Sequence, residues 1–234
     1  MINLSNKIAT KAGWLNFSGT HIPSSLELDP IVFKYLQKNF SILDVGCGFG
    51  KTVFDLEKQG YKKIIGIDLN PSGISYAKKA SRNMCKDLRF KTSDAKKLKF
   101  SDKTFDFVIT QAFWTTIPNT NDRIKIAREI NRVLKVGGII YITDFCRTWN
   151  QTHYKKAYME GVKEGLELGT FRAYNKKTGE FMYLAHHYTR HDFFKLLLES
   201  GFCKPVYYKS TIFTTQSGNK IKGCVLLSIK IINK

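Results

Sequence analysis

Long apolar runs are missing from this sequence of 234 residues. No stretch is long and apolar enough to span a bilayer, and the first eleven residues contain no continuous apolar segment of the kind that forms a signal-peptide core. We therefore expect a cytoplasmic protein without a membrane partner. Because 43% of the residues are hydrophobic, the chain can build one sizeable core, but it is short for two domains and a linker.

Paired cysteines and acidic residues are scarce as well. The five cysteines are scattered and never form a Cys-x-x-Cys pair, so we predict reduced thiols and no metal site. Asp and Glu number 19 against 38 Lys and Arg, which gives a formal net charge of +19. Such an excess favours anionic partners, RNA among them. The basic residues are nevertheless spread along the whole chain, so we favour a lysine-rich surface without a dedicated function.

Short apolar runs alternate with amphipathic stretches in the first two thirds of the chain. An irregular arm and a helix near residues 26–38 make up the predicted segment 1–40, and the predicted core covers 41–146. Strands and helices that alternate in this way indicate a parallel sheet covered on both faces. The predicted strands are 40–45, 63–68, 88–92, 105–110 and 139–143, and the predicted helices are 51–59, one that opens at Asn70-Pro71, and 120–135.

The alternation is interrupted after the fifth strand. Residues 147–187 are predicted to form a small inserted cap, with one amphipathic helix and a β-hairpin over 171–184. In the final segment, 188–234, a helix is capped by Thr189, and two strands joined by a short turn must pair antiparallel. The predicted fold is a single doubly wound, Rossmann-like α/β domain: a mixed seven-stranded sheet with an antiparallel last strand and helices on both faces.

The most informative segment is a strand that enters a glycine-rich turn, Ile42-Leu-Asp-Val-Gly-Cys-Gly-Phe-Gly-Lys51. Glycines at 46, 48 and 50 let the backbone turn sharply close to a ligand, and the helix that follows adds N–H donors. Asp68 ends the next strand, where a carboxylate can accept both ribose hydroxyls of an adenosine. Asp44 suits an ammonium better than a pyrophosphate, and the glycine spacing departs from the dinucleotide fingerprint. NAD is therefore the less favoured cofactor.

Residues 42–144 resemble the class I S-adenosylmethionine-dependent methyltransferases. The resemblance implies S-adenosylmethionine as cofactor, with Asp44 near the methionine ammonium and Asp68 on the ribose hydroxyls. It also implies that the segment 94–95 meets the adenine and that 111–112 faces the methionine part and the acceptor. The full set of implied cofactor-binding residues is Asp44, Gly46, Cys47, Gly48, Gly50, Asp68, Leu69, Asp94, Ala95, Gln111 and Ala112.

The residues that bind and activate the acceptor are less explicit in the sequence. Methyl transfer from a sulfonium is an in-line displacement, so the protein must mainly align the acceptor and exclude water. A base is needed only if the acceptor loses a proton. Candidates for a base or an orienting group are His186, His187 and Tyr188, although a hydrogen-bonded structural junction is the favoured interpretation of this triplet. Candidate substrate-binding residues are Trp14, His21, Phe113, Trp114, His153 and Tyr154.

Three functions remain open at this stage. A small-molecule methyltransferase is favoured because the cap can enclose a compact site and the segment Thr110-Gln-Ala-Phe113 lacks the Asn/Asp-Pro-Pro-aromatic signature of amino-directed nucleic-acid methylases. An RNA methyltransferase, such as one acting on tRNA, is favoured by the net charge. A non-catalytic or NAD-binding Rossmann module is the third hypothesis. The acceptor and the oligomeric state do not follow from the sequence.

Overall fold

The computed structural model describes residues 26–84, 86–175, 178–214 and 220–231. Seven strands form one sheet in the order β3-β2-β1-β4-β5-β9-β8, and β6 and β7 form a separate two-stranded sheet. The strands β1 to β5 pair parallel, whereas β9 runs antiparallel to both β5 and β8. The strand bounds are β1 Ile42–Val45, β2 Ile64–Asp68, β3 Arg89–Thr92, β4 Phe105–Gln111, β5 Leu134–Phe145, β6 Thr170–Tyr174, β7 Phe181–His186, β8 Tyr207–Thr214 and β9 Lys220–Ile229.

Five α-helices occur in the described residues, and four of them cover the two faces of the large sheet. Their bounds are α1 Lys51–Lys58, α2 Pro71–Asn83, α3 Thr120–Val133, α4 Thr152–Lys163 and α5 Arg190–Glu199. Apolar side chains of α1 and α2 pack with Ile42 and Ile109 on one face, and those of α3 and α5 pack with Leu43 and Val108 on the other. Successive side chains of a strand thus point to opposite faces of the sheet and pack against different helix layers, as a doubly wound sheet requires. The predicted fold class is confirmed.

The direction of winding reverses at β1. This strand lies between β2 and β4, so the connections that follow β1 and β3 lead to opposite halves of the sheet. Ligands of doubly wound sheets bind in the crevice outside the carboxyl ends of the strands at such a switch point. The carboxyl ends of β1, β2 and β4 are Val45, Asp68 and Gln111. The fold therefore brings the residues that follow these strands to one edge of the sheet.

Two local predictions are wrong. The helix expected at residues 26–38 is a single 3-10 turn, Pro30–Lys34, because Asp29 anchors the chain to the sheet. The amide of Asp29 donates to the Tyr141 hydroxyl at 3.0 Å, and its carboxylate accepts from the Ile31 amide at 3.0 Å. The second error concerns the start of the fifth strand, which was predicted at 139: β5 begins at Leu134, so the glycines at 137–138 lie within it. There the pairing with β4 skips from Leu134 to Ile139.

The segment predicted as the cap, 147–187, contains α4 and the β6–β7 hairpin. Tyr158 of α4 packs against Phe171 of β6, and Tyr154 and Ala157 lie on the same inner face of the helix. Two ion pairs connect the cap and its base to the main domain. Arg123 of α3 contacts Glu167, and Arg147 contacts Asp192 of α5 at 3.1 Å. No helix in the described ranges has the length and apolar character needed to cross a membrane.

Candidate active site

The glycine-rich turn follows β1 directly and is held against β2. The amides of Gly46 and Cys47 both donate to the Ile67 carbonyl, at 2.8 and 2.9 Å. Gly46, Gly48 and Gly50 have φ angles of 77°, 53° and 88°, in the left-handed region that residues with a side chain rarely adopt. A Cβ atom at position 46 would also lie 2.6 Å from Cδ2 of Phe113. The turn thus needs glycine both for its backbone conformation and for space.

Asp44 places a buried carboxylate just before this turn. Its Oδ2 atom has no hydrogen-bond partner among the described residues. Burial, with a smaller contribution from the negative charge of Asp68, raises the pKa of Asp44 to about 8. A buried carboxylate without a partner is costly, and it becomes favourable when a cation pairs with it. The free oxygen of Asp44 therefore fits the ammonium of a bound amino acid group.

Asp68 ends β2 and faces the same turn. Its Oδ2 accepts from the Gly48 amide at 2.9 Å, and its Oδ1 accepts from the Asn70 amide at 2.8 Å. Burial raises the pKa of Asp68, and these backbone hydrogen bonds oppose that rise. Each carboxylate oxygen retains a further lone pair for an outside donor. The side chain is therefore oriented in advance and can accept the two hydroxyls of a ribose.

The other predicted cofactor-binding residues follow the ends of neighbouring strands. Leu69 continues from β2, while Asp94 and the buried Ala95 follow β3. The carboxylate of Asp94 accepts from the Lys96 amide at 2.9 Å, which closes this turn. Cys47 lies within the glycine turn, and its buried side chain packs closely against Gly66. A Cβ atom added at Gly66 would lie 2.9 Å from the Sγ atom of Cys47. All of them lie at the carboxyl edge of the sheet, where β1 and β2 present Asp44 and Asp68.

Gln111 and Ala112 bring the end of β4 to the same edge. The Gln111 side chain accepts from the Thr52 hydroxyl at 2.7 Å, which connects β4 to the first turn of α1. Ala112 has a φ of 47°, unusual for a residue other than glycine. Its amide donates to the Thr143 carbonyl at 2.8 Å. Strained backbone of this kind is common at functional sites.

The two aromatic residues after Ala112 differ in position. Phe113 is half-buried and lies against Gly46. Trp114 is fully buried in the main core, where its indole N–H donates to the Thr110 hydroxyl at 3.0 Å. Trp114 therefore belongs to the core, and its predicted role in substrate binding stays a prediction. Buried Asp144 holds this turn, because its carboxylate accepts the Trp114 amide at 2.7 Å.

The triplet His186, His187 and Tyr188 joins the cap to the main core. Each of the three makes a side-chain hydrogen bond there, but the buried Nε2 atom of His186 has no hydrogen-bond partner among the described residues. His186 Nδ1 lies 2.7 Å from the Thr170 hydroxyl, and burial lowers the pKa of His186 well below its usual value. The Tyr188 hydroxyl donates to the Trp114 carbonyl at 2.8 Å. Neither side chain is arranged as a catalytic base. The structure thus supports the structural interpretation for His186 and Tyr188.

His187 has a different environment. Its Nδ1 lies 2.6 Å from the Tyr158 hydroxyl, which also accepts from the Thr148 amide at 3.2 Å. The Tyr158 hydroxyl can donate to Nδ1, which places the ring proton on Nε2, or accept from Nδ1–H with its second lone pair. Burial lowers the pKa of His187 to about 3, which keeps the ring neutral at pH 7. His187 is therefore a weak base whose neutral ring keeps one N–H donor.

An aromatic cluster extends from the strand ends into the cap, and Tyr154 lies at its centre. On one side, Tyr154 and Ala112 are both packed against a small buried cluster that contains Phe145, the residue that ends β5. On the other side, its ring centroid is 5.2 Å from that of His187 and 5.9 Å from that of Phe171. We call this set the aromatic cluster; its members are Ala112, Phe145, Tyr154, Phe171, His187 and Phe213.

Sequence reasoning found only part of this cluster. Phe145 was not among the predicted site residues, although a residue at the carboxyl end of β5 belongs to the edge where Gln111 was placed. The sequence around Phe171 and Phe213 contains no local pattern that would place them at the site, because their positions depend on the pairing of distant strands. The predicted His153 is exposed, with its ring 4.2 Å from that of Tyr154. The predicted Trp14 and His21 lie outside the described residues.

Residues 36–190 match the family described as methyltransferase domain, which is well over half of the chain. A solved SAM-dependent methyltransferase from Methanosarcina mazei is 36% identical, covers 89% of this chain and 100% of its own, and superposes with a TM-score of 0.84. The chain belongs to the S-adenosylmethionine-dependent methyltransferases. Its cofactor is S-adenosylmethionine, and the unpaired oxygen of Asp44 and the glycine turn fit that ligand.

Two curated relatives match this methyltransferase at lower identity. The ubiquinone/menaquinone biosynthesis C-methyltransferase of Rickettsia prowazekii is 28% identical over 219 residues, which cover 89% of this chain and 86% of that protein. Phosphoethanolamine N-methyltransferase 3 of Arabidopsis thaliana is 32% identical over 113 residues. That match covers 48% of this chain but only 22% of the plant enzyme. Some relatives are thus much longer than the part that they share with this chain.

Proposed function

We propose that this methyltransferase transfers the methyl group of S-adenosylmethionine to a small molecule that binds against the aromatic cluster. The observation that carries the proposal is the continuity of this cluster. Ala112, at the strand end beside the glycine turn, and Tyr154 of the cap both pack against the buried cluster that contains Phe145. A compact site with aromatic walls and few polar groups is typical of small-molecule binding.

The proposed role of each residue follows from the chemistry of its side chain. Asp44 would pair with the ammonium of the methionine part, and Asp68 would accept the ribose hydroxyls. The bound cofactor supplies an electrophilic methyl group on a sulfonium. The aromatic cluster would exclude water and hold the acceptor in line with that methyl group. With its ring proton on Nε2, neutral His187 would donate a hydrogen bond to an oxygen of the acceptor, and its low pKa makes it a poor general base.

The names of the relatives support a small acceptor. One relative is a C-methyltransferase of ubiquinone and menaquinone biosynthesis, and another methylates phosphoethanolamine. These two acceptors differ in chemistry, so they favour a small molecule without selecting one. The cluster itself contributes no formally charged side chain at neutral pH, since His187 is neutral there. This composition favours an acceptor with an apolar ring over a nucleic-acid phosphate.

The first test asks which class of molecule receives the methyl group. The purified enzyme, incubated with fractionated cell extract and methyl-labelled S-adenosylmethionine, is expected to label the small-molecule fraction. The matched control is Asp68→Ala, which should show no labelling because it loses the ribose acceptor. Labelled, nuclease-sensitive RNA would contradict the proposal and support the RNA hypothesis. Calorimetric binding of NAD instead of S-adenosylmethionine would support the Rossmann-module hypothesis.

A second test concerns Tyr154, the centre of the aromatic cluster. We expect Tyr154→Ala to lower kcat/KM for the acceptor by about tenfold to a hundredfold, because a large ring is lost from the acceptor site. The affinity for S-adenosylmethionine should stay within about twofold. Tyr174→Ala is the matched control, since this cap tyrosine is 53% exposed and outside the cluster. Equal losses in both variants would show that Tyr154 acts only through the stability of the cap.

A further inference from the structure

The cap exposes apolar side chains that neither the fold nor the active site explains. Met159 and Val162 of α4 are 45% and 40% exposed, and Trp149, just before α4, is 42% exposed. The opposite face of α4 is buried through Tyr158 and Gly161. Single apolar residues are common on protein surfaces, but several neighbours on one helix mark an interaction surface.

Lysines share this exposed side of α4. At about 100° per residue, one sector about 120° wide holds six successive side chains, all exposed: Val162, Lys155, Met159, Thr152, Lys163 and Lys156. The sector contains no carboxylate. Glu160 lies beyond its edge, 3.9 Å from the Lys156 ammonium. Basic and apolar side chains therefore alternate on one face of the helix.

Trp149 extends this sector on the Val162 side. Its ring centroid is 5.3 Å from that of Tyr158, and Tyr158 precedes Val162 by one helical turn. Tryptophan prefers the boundary between water and the lipid chains because its ring is apolar and its N–H is polar. We call this surface the cap face; it consists of Trp149, Lys155, Lys156, Met159, Val162 and Lys163.

We infer that the cap face binds the surface of an anionic lipid bilayer. A helix with lysines beside exposed apolar residues lies in the headgroup plane, where the apolar side chains insert and the ammonium groups reach the phosphates. The net charge of +19 adds long-range attraction to an anionic leaflet. The absence of carboxylates from the sector makes the charge of the cap face complementary to that of the lipid. This inference replaces the expectation of no membrane partner.

A bilayer explains the composition of the cap face better than RNA does. RNA would pair with the lysines, but it gains little from Met159 and Val162 at the middle of the surface.

Docking on a bilayer also has a consequence for the acceptor site, which rests on the proposed function. The inner side of α4 carries Tyr154, so a docked enzyme would hold the acceptor site about one helix diameter, roughly 10 Å, from the lipid. An apolar acceptor dissolved in the bilayer would then be close to its site.

Vesicle binding tests this inference without any methyl transfer. The full chain is sedimented with vesicles of phosphatidylcholine that contain about 30% phosphatidylserine, and with pure phosphatidylcholine. We expect binding to the anionic vesicles and a blue shift of Trp149 fluorescence, identified by its loss in Trp149→Phe. The double variant Met159→Gln/Val162→Gln keeps the net charge, and it should weaken the partition coefficient by about tenfold or more.

The matched control is Ile212→Gln on β8, which removes a 57% exposed apolar side chain outside the cap. This variant should bind vesicles like the wild type. Unchanged binding of the double variant would overturn the inference, because net charge alone would then explain adsorption. Failure to bind anionic vesicles, or protection of the cap face by RNA or by a second copy of the chain, would overturn it as well. Binding of S-adenosylmethionine, measured separately, reports on the cofactor site in every variant.

Discussion

Asp44→Asn is expected to weaken S-adenosylmethionine binding about a hundredfold and, at the same time, to stabilise the ligand-free protein at pH 8. The loss of affinity follows from the unpaired Oδ2 of Asp44, which we assign to the methionine ammonium. Removing one partner of a buried ion pair costs about 2–5 kcal/mol. Calorimetric titration of both proteins measures this change directly.

The gain in stability follows from the pKa of Asp44. The ordinary pKa of an aspartate carboxyl is 3.8, and burial raises the pKa of Asp44 in the folded protein to about 8. The folded state therefore holds a proton that the unfolded state releases between these two values, so the wild-type free energy of unfolding falls as the pH rises from about 4 to about 8. Asparagine does not titrate. We expect Asp44→Asn to unfold with a free energy up to about 5 kcal/mol higher at pH 8, and the difference should shrink towards pH 4.

Asp144→Asn is the matched control for both effects. Asp144 is equally buried and its pKa is raised to about 7, but its oxygens accept the amides of Trp114, Thr115 and Phe145. An asparagine would turn one N–H group towards these donors, so this variant should lose stability while its cofactor affinity changes little. If Asp44→Asn binds the cofactor as tightly as the wild type, the ammonium is held elsewhere.

Much of the fold could be predicted because its signals are local. The alternation of apolar runs located the strands of the sheet within a few residues, and the Asn70 and Thr189 caps marked the starts of α2 and α5. The short connection between the last two strands required an antiparallel pair. The insertion of β9 between β5 and β8 depends on long-range pairing, so no local pattern shows it. The short turn at 30–34 likewise depends on the distant Tyr141 hydroxyl.

Site residues that follow the ends of strands could be located from the sequence. Side chains whose orientation depends on tertiary contacts could not. Asp44 and Asp68 could be located because parallel strands end at one edge of the sheet. The orientation of the Trp114 side chain could not be predicted. The positive φ of Ala112 turns the chain, and Trp114 points back into the core. The tautomer of His187 depends on Tyr158, which comes from another element of the cap.

Gly46→Ala is expected to have the second large effect, a loss of about 3 kcal/mol of stability together with weaker binding of S-adenosylmethionine. Two causes contribute to the loss. The φ of 77° strains any residue with a side chain, and the new Cβ would lie 2.6 Å from the Phe113 ring. Gly137→Ala separates these causes, because Gly137 has a φ of 76° and nothing within 4 Å of the added Cβ.

Chemical denaturation of the variants should show that Gly137→Ala costs about 1–2 kcal/mol, the part that is due to backbone strain, with unchanged cofactor affinity. The remaining cost of Gly46→Ala should disappear in Gly46→Ala/Phe113→Ala, because the smaller side chain removes the clash. The cofactor affinity of the double variant then becomes decisive. If it stays low although the clash is gone, the glycine is needed where the backbone approaches the ligand; if it recovers fully, Gly46 serves only the packing of Phe113.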